Sequence, residues 1–372
     1  MLLLGIESSC DETAAAVVRD GRDVLCNVIA SQDELHVEYG GVVPEIASRA
    51  HVERMLPVLR RALADAGVGL GEIDAVAVGS RPGLIGSLVV GVAAAKALSW
   101  SLGRPLVGVD HVHAHLYAGL LEREAPAFPA LGLVVSGGHT SLYTCDSILD
   151  IRRIGSTIDD AVGEAYDKVA TILGLEFPGG PKLDRLAQQG DEQVHEFPVS
   201  RIAPDSLDLS FSGLKTAVLY AVRGVPQRWR SSPSRDAQGA SGQERHGSER
   251  RATRFERDHH DLSEQQKADV AASFQRAAVR AVMLKLERTF ERHPCRTLLI
   301  GGGVSANSRL RRELTEFADQ RGLDLRLPKM PYCLDNAAMI AGLGHALLLA
   351  GRVDDQSLRA MPSSVQEMRQ SG

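Results

Sequence analysis

A chain of 372 residues with 44% apolar content is too long for one compact core and points to two domains of ordinary size that fold without staples. Its five cysteines are scattered, odd in number and never in a Cys-x-x-Cys pair, which argues against a disulfide framework or a zinc knuckle and for a reducing, cytoplasmic setting. A net charge of −5 does not advertise a nucleic-acid surface, so any RNA must be held by a local basic patch or by a partner.

In chain order, Leu2 to Glu7 reads as a short apolar strand, followed by strands Thr13 to Arg19 and Val24 to Ala30 across turns at Asp11-Glu12 and Asp20-Gly21. The opening apolar run is too short for the core of a signal peptide, and no basic residue precedes it. A helix over Pro44 to Ala66, a strand over Ala75 to Gly79, the apolar stretch Leu84 to Leu102 and a strand over Pro105 to Val109 follow. That stretch approaches membrane-spanning length, but Lys96 and its Ser and Gly interruptions mark it as a buried helix, so no membrane is expected. The order is βββαβαβ.

The same grammar restarts at Leu131 to Val135, with Ser136-Gly137-Gly138 as turn, His139 to Cys145 as return strand, a strand at Ile151 to Gly155 and a helix from Asp159 to Leu173. Leu214 to Val222 is a strand or a helix, and Ser263 to Phe290 a helix. The second copy closes with a strand at Thr297 to Ile300, the run Gly301-Gly302-Gly303, a helix from Ser305, a strand at Leu325 to Leu327 and a helix from Asp335. Residues 226–261 are rich in Arg, Ser, Gly and Gln, nearly lack aliphatic residues, and read as a disordered insertion. Two βββαβαβα units resemble the ASKHA superfamily of actin-like proteins and sugar kinases, an α/β fold of duplicated RNase H-like domains enclosing a cleft. The division this implies is 1–125, completed by 336–372, and 126–335.

The chemistry gathers at four places. In Asp110-His111-Val112-His113-Ala114-His115, His111 and His115 stand at i and i+4 and project from one helix face, the way a metal is gripped, while His113 points elsewhere. Val112 stands where a zincin has its Glu, so zinc proteolysis is not indicated. Asp335 either caps the last helix or, in a duplicated cleft, faces the two histidines and completes a two-His, one-carboxylate set. The turns Ser8 to Thr13 and Ser136 to Thr140 fall at matching points of the two copies and offer paired anion nests. Gly301 to Asn307 leaves a strand and enters a helix without the Lys of a Walker loop, and Asn307 can read a ribose or base edge. Asp160, Glu164, Asp167 and Lys168 fall on adjacent turns of one expected helix, with Asp167 aimed at the cleft beside the rigid turn before Asp184. On the helix Pro44 to Ala66, Arg49, His51, Glu53 and Arg54 interleave with apolar residues and mark a candidate partner surface.

Together, SSCDET (Ser8 to Thr13), DHVHAH (Asp110 to His115), VVSGGHT (Val134 to Thr140), EAYDK (Glu164 to Lys168), FPGGP (Phe177 to Pro181), SFSGLKT (Ser210 to Thr216), GGGVSAN (Gly301 to Asn307) and DNAAM (Asp335 to Met339) resemble the TsaD family of tRNA threonylcarbamoyladenosine transferases, over roughly Leu3 to Gly351. The resemblance implies transfer of a threonylcarbamoyl group from threonylcarbamoyl-AMP to N6 of the adenosine 3′ of the anticodon in tRNAs reading ANN codons. It further implies one divalent metal on His111, His115 and Asp335, Fe(II) favoured and zinc the alternative. Val134, Val135, Ser136, Gly137, Gly138, Asp167, Gly180, Asp184 and Asn307 would hold the adenylate, with Glu12 and His139 in positioning roles. Its implied partners are tRNA, the paralogue TsaB, the ATPase TsaE and a TsaC-type synthase that supplies the intermediate. The rival reading is an ATPase or kinase on the same fold with a structural metal; the histidine pair argues against it, because Mg²⁺ prefers oxygen ligands.

Overall fold

The computed structural model describes residues 1–224 and 261–362 apart from Arg201 and Pro204; the predicted insertion at 226–261 lies outside them save for Asp261. Two mixed sheets organise the chain. Strands β1 (Leu2–Glu7), β2 (Glu12–Arg19) and β3 (Asp23–Ser31) form a meander, and β4 (Ala75–Arg81) and β5 (Leu106–Asp110) extend it in parallel, giving the order β3-β2-β1-β4-β5. Strands β6 (Ala130–Val135), β7 (Thr140–Ser147), β8 (Asp150–Ser156), β9 (Thr297–Gly301) and β10 (Asp324–Arg326) repeat it as β8-β7-β6-β9-β10. The register matches as well: Leu4 pairs antiparallel with Val17 and parallel with Val76, and Leu133 does the same with Leu142 and Ile300. The expected duplicated α/β architecture is therefore present strand for strand.

Both inner strands are buried on both faces, which is why they read as unbroken apolar runs rather than alternating ones. After β3 comes the single turn α1 (Asp33–His36), and α2 (Pro44–Ala66) and α3 (Ile85–Leu102) lie on the first sheet. The short helix α4 (His111–Ala118) runs from the end of β5 toward the second sheet. The second sheet carries α5 (Val162–Ile172), α6 (Gly179–Ala187), α7 (Ser212–Arg223), α8 (Glu264–Arg292) and α9 (Ser308–Arg321), and the chain then returns to the first sheet as α10 (Ala337–Leu349). Close approach fixes that return: a Cβ on Gly5 would lie 2.2 Å from the Ala337 carbonyl oxygen, and one on Gly344 would lie 2.5 Å from Ala77.

Four expectations change. Leu214 to Val222, left open between strand and helix, is helical. The helix expected from Asp159 begins at Val162, because Asp159 and Asp160 are engaged elsewhere: Asp159 accepts from Phe211 N–H at 2.8 Å and from the Ser212 hydroxyl at 2.7 Å, and Asp160 pairs with Lys168 and Lys215. Asp160 therefore precedes the helix that carries Glu164, Asp167 and Lys168. The helix expected from Ser305 begins at Ser308 after a single tight turn over Gly303–Ala306. Finally, α3 is not buried all round: Leu88, Val92 and Ala95 face the core, but Ile85, Val89 and Trp100 are exposed. Among the described residues it is the one helix long and apolar enough to cross a membrane by length and composition.

Candidate metal centre and cleft

The end of β5 delivers Asp110, whose carboxylate accepts from the N–H groups of Val112 and His113 and so caps α4. The cap fixes the first turn, and the i, i+4 spacing then brings the rings of His111 and His115 together edge to face, with centroids 4.6 Å apart. Across the gap, the chain reaches α10 with Asn336 as its cap, accepting from Met339 N–H at 3.0 Å. Capping thus falls to Asn336 rather than Asp335. Asp335 is left free to meet the histidines, its Oδ1 3.1 Å from His115 Nε2 and 3.5 Å from His111 Nε2.

His111 is held from behind. Its Nδ1 lies 3.1 Å from Glu7 Oε2 and 3.1 Å from the Ser9 hydroxyl, while Glu7 Oε1 accepts the Ser9 N–H. Glu7 is fully buried at the end of β1, and Gly79 makes room for it, since a Cβ there would lie 2.6 Å from Glu7 Oε2. Burial opposes a charge on His111, but Asp335 and Glu7 outweigh it and hold its pKa up at about 9. Burial pushes His115 the other way, down, and the neighbouring His111 charge adds to that. For Asp335, burial is outweighed by His111, His115 and His139, which hold the carboxyl well below its usual range.

These features fit a metal. Among the described residues, buried His115 has no partner at Nδ1, and its Nε2 meets only the Asp335 carboxylate, the pair of ligand atoms that a shared metal would bridge. The ligand atoms of His111, His115 and Asp335 lie within 4.8 Å of one another. Glu7 behind His111 supplies the carboxylate–histidine pairing that orients a metal-bound imidazole. Two imidazoles and a carboxylate suit a borderline transition metal such as iron or zinc better than a hard oxygen-seeking ion.

The two hairpins flank this centre. In the second, Ser136 N–H donates to the His139 carbonyl at 2.7 Å, and Gly137 and Gly138 face open space, their N–H groups without partners among the described residues. In the first, Asp11 and Glu12 crowd together with Asp33. Glu12 keeps its proton far above the usual carboxyl range, through burial first and the charges of Asp11 and Asp335 next. The fields of Asp11 and Asp33 also reach Asp167, so the acidic cluster looks across the cleft at α5.

A family model described as tRNA N6-adenosine threonylcarbamoyltransferase, TsaD, matches residues 23–342. The chain belongs to the TsaD family. A relative of that name from Trichlorobacter lovleyi is 48% identical over 360 residues, 97% of this chain and 95% of its own. Another from Rhodopirellula baltica is 48% identical over 349 residues, 91% and 90%. Among solved structures, HypF of T. kodakarensis superposes with a TM-score of 0.56 at 14% identity, over 96% of this chain and 49% of that one, a likeness of fold alone. The fold is the duplicated ASKHA type.

Not every TsaD motif residue faces the cleft. Val134 and Val135 are fully buried in a central strand, paired through Val134 with Ser141 and Gly301, and act by placing the hairpin. Asp167 accepts from Gly179 N–H at 2.9 Å and Gly180 N–H at 3.1 Å, yet burial still raises its pKa. Asn307, expected to read a ribose or base, is committed within the protein: Oδ1 caps α9 at Leu310 N–H, and Nδ2 donates to Gln275 at 2.9 Å and Asp184 at 3.1 Å. Asp184 also accepts from Ser308 N–H and its hydroxyl, so Asp184 and Asn307 brace each other and the start of α9. His51, expected on a partner surface, is buried between the Thr13 hydroxyl and the Cys10 carbonyl, and Arg54 donates to the Ser31 carbonyl. Sequence reasoning missed Glu7, although a carboxylate ending an apolar strand was its visible signal.

Proposed function

We propose that this TsaD-family chain transfers the threonylcarbamoyl group from threonylcarbamoyl-AMP to N6 of the adenosine 3′ of the anticodon in tRNAs reading ANN codons. The observation that carries the reading is the meeting of His111, His115 and Asp335 between two hairpins in a chain of that family. In the reaction N6 bonds to the carbamoyl carbon, the bond from that carbon to the AMP phosphate oxygen breaks, AMP leaves with the electron pair, and one N6 proton is released. The anhydride is already activated, so alignment and stabilisation of developing negative charge are the main demands.

His111, His115 and Asp335 would hold one divalent metal, Fe(II) favoured over zinc, which when bound polarises a carbonyl or phosphate oxygen. The unpartnered N–H groups of Gly137 and Gly138 would receive the adenylate phosphate. Asp167 and the Gly179-Gly180 turn form the wall beyond them, and the Asp184–Asn307 brace fixes that wall against α9. Glu12 and His139 would take positioning roles, Glu12 beside Asp11 and Asp33 in the first hairpin.

The chain is read as cytoplasmic, with domains at 1–125 plus 336–372 and at 126–335. Its partners would be tRNA, TsaB, TsaE and a TsaC-type synthase. The surface for a paralogous partner would be the exposed apolar face where α2 and α3 meet at Ser48 and Gly86: Val52, Leu56, Ile85 and Val89.

The test is the threonylcarbamoyladenosine content of tRNA, by nucleoside mass spectrometry, in cells depleted of this protein and resupplied with wild type or Asp335→Ala. Wild type restores the nucleoside and the variant does not. An unchanged nucleoside after depletion removes the tRNA assignment.

A further inference from the structure

We propose that Arg311 is a positioning residue for the metal centre, holding the segment that carries Asp335 in register with the histidines. The proposal rests on the metal reading above. Arg311 lies in the first turn of α9, its N–H donating to the Asn307 carbonyl at 3.0 Å, and its side chain enters no ion pair among the described residues. Its guanidinium serves carbonyls instead. Nη1 donates to Ser305 O at 3.0 Å and to Pro328 O at 3.3 Å, and Nη2 donates to Pro328 O at 3.2 Å. Nη1 also lies 3.8 Å from the buried Cys333 Sγ.

These partners stand at two ends of one mechanical link. Ser305 belongs to the turn after β9, and at the head of that turn Gly301 is pressed so closely on α4 that a Cβ would lie 2.2 Å from the His115 carbonyl oxygen. Pro328 and Cys333 bracket the irregular segment that ends on Asp335, whose far side is tied down by Asn336 Nδ2 donating to Leu334 O at 2.8 Å and Tyr332 O at 3.3 Å. Arg311 thus joins the turn touching His115 to the segment delivering Asp335. A planar fork with several donors can span two carbonyls and a sulfur at once; an ammonium can satisfy only part of that set. Without the clamp the histidines stay on their capped helix, but the third ligand loses its fixed distance from them.

The experiment is Co(II) binding to the full-length protein, followed by the visible absorption of the ion, for wild type, Asp335→Ala, Arg311→Leu and Arg311→Lys, with the thermal midpoint of each metal-free protein measured alongside. Arg311→Leu is expected to weaken Co(II) binding by about 10- to 100-fold, the usual effect of losing support behind a ligand, and Arg311→Lys to recover part of it. A lower thermal midpoint with wild-type Co(II) affinity and spectrum makes Arg311 a stabiliser of the fold only and overturns the proposal. Should Arg311→Leu fail to fold, Arg311→Lys decides, and wild-type affinity there overturns it too. If wild type binds no Co(II), or Asp335→Ala binds it equally well, the metal reading itself fails and this proposal falls with it.

Discussion

β1 and β6 are the same strand in two copies, and they end differently. Each is six residues long, sits at the centre of its sheet and runs into the hairpin that borders the cleft. The first ends on Glu7, a buried carboxylate gripping His111; the second ends on Val135, packed in the core of its own lobe. The turns that follow diverge in the same sense. One carries Asp11 and Glu12, and the other Gly137 and Gly138 with open space above them. The geometry occurs twice, and a handful of side chains make one half hold charge and leave the other with an open stretch of backbone.

The sharpest way to break this comparison is to exchange the two strand ends' chemistry one at a time. Glu7→Gln keeps the volume and a hydrogen-bonding group but removes the charge behind His111, and it is expected to weaken metal affinity by about 10- to 100-fold, measured by chelator competition. Val135→Ala should leave metal affinity alone and cost ~2 kcal/mol of stability by creating a core cavity, read from denaturant midpoints. A Val135→Ala protein that lost metal as readily as Glu7→Gln would show that the halves had not divided the work. A second contrast lies in the glycines. Gly302 has a φ of +91° and a Cβ there would lie 2.3 Å from Val135 O, so Gly302→Ala should cost ~1–3 kcal/mol or more. Gly138→Ala meets nothing and should leave stability within ~0.5 kcal/mol while raising KM for the adenylate.

A further small effect concerns the cluster of Asp160, Lys168 and Lys215 at the start of α5. Burial would raise the Asp160 carboxyl, but Lys168 and Lys215 outweigh it and lower the pKa below its ordinary value. A depressed folded-state pKa contributes stability that is present above the ordinary carboxylate range and lost as pH falls through the folded value. Asp160→Asn should therefore be less stable than wild type near pH 7, by about 1 kcal/mol for this half-buried cluster, and the two urea midpoints should approach each other as pH falls below the ordinary carboxylate range. Curves that stay parallel over that range would remove the charge pairing as the cause.

What could be read from the chain beforehand follows from how local each signal is. The strand order and the histidine pair were legible, because runs of apolar residues and an i, i+4 spacing are properties of neighbours in sequence. The competition between adjacent residues was not. Asp335 and Asn336 are both good caps, and only the packing of α10 on β1 decides that Asn336 turns to the helix and Asp335 to the histidines. Asn307 looked like a ligand reader for the same reason it is a cap: its amide suits either task, and Asp184 and Gln275 lie far off in sequence. Glu7 hid in plain view, since its partner is 104 residues away.

The short helix α4 touches β5, β6 and β9, is pressed by Gly301 at His115, and meets Arg326 just past its C-terminus, where a Cβ on Gly119 would lie 2.5 Å from the Arg326 carbonyl oxygen. It is an axle rather than a jaw. Any opening of the cleft would spread the two hairpins, which sit on separate sheets, more than it would part His111 from His115, which share the axle. An ion held by His111, His115 and Asp335 would thus stay in place while nucleotide and product come and go, and its supply need not keep pace with turnover.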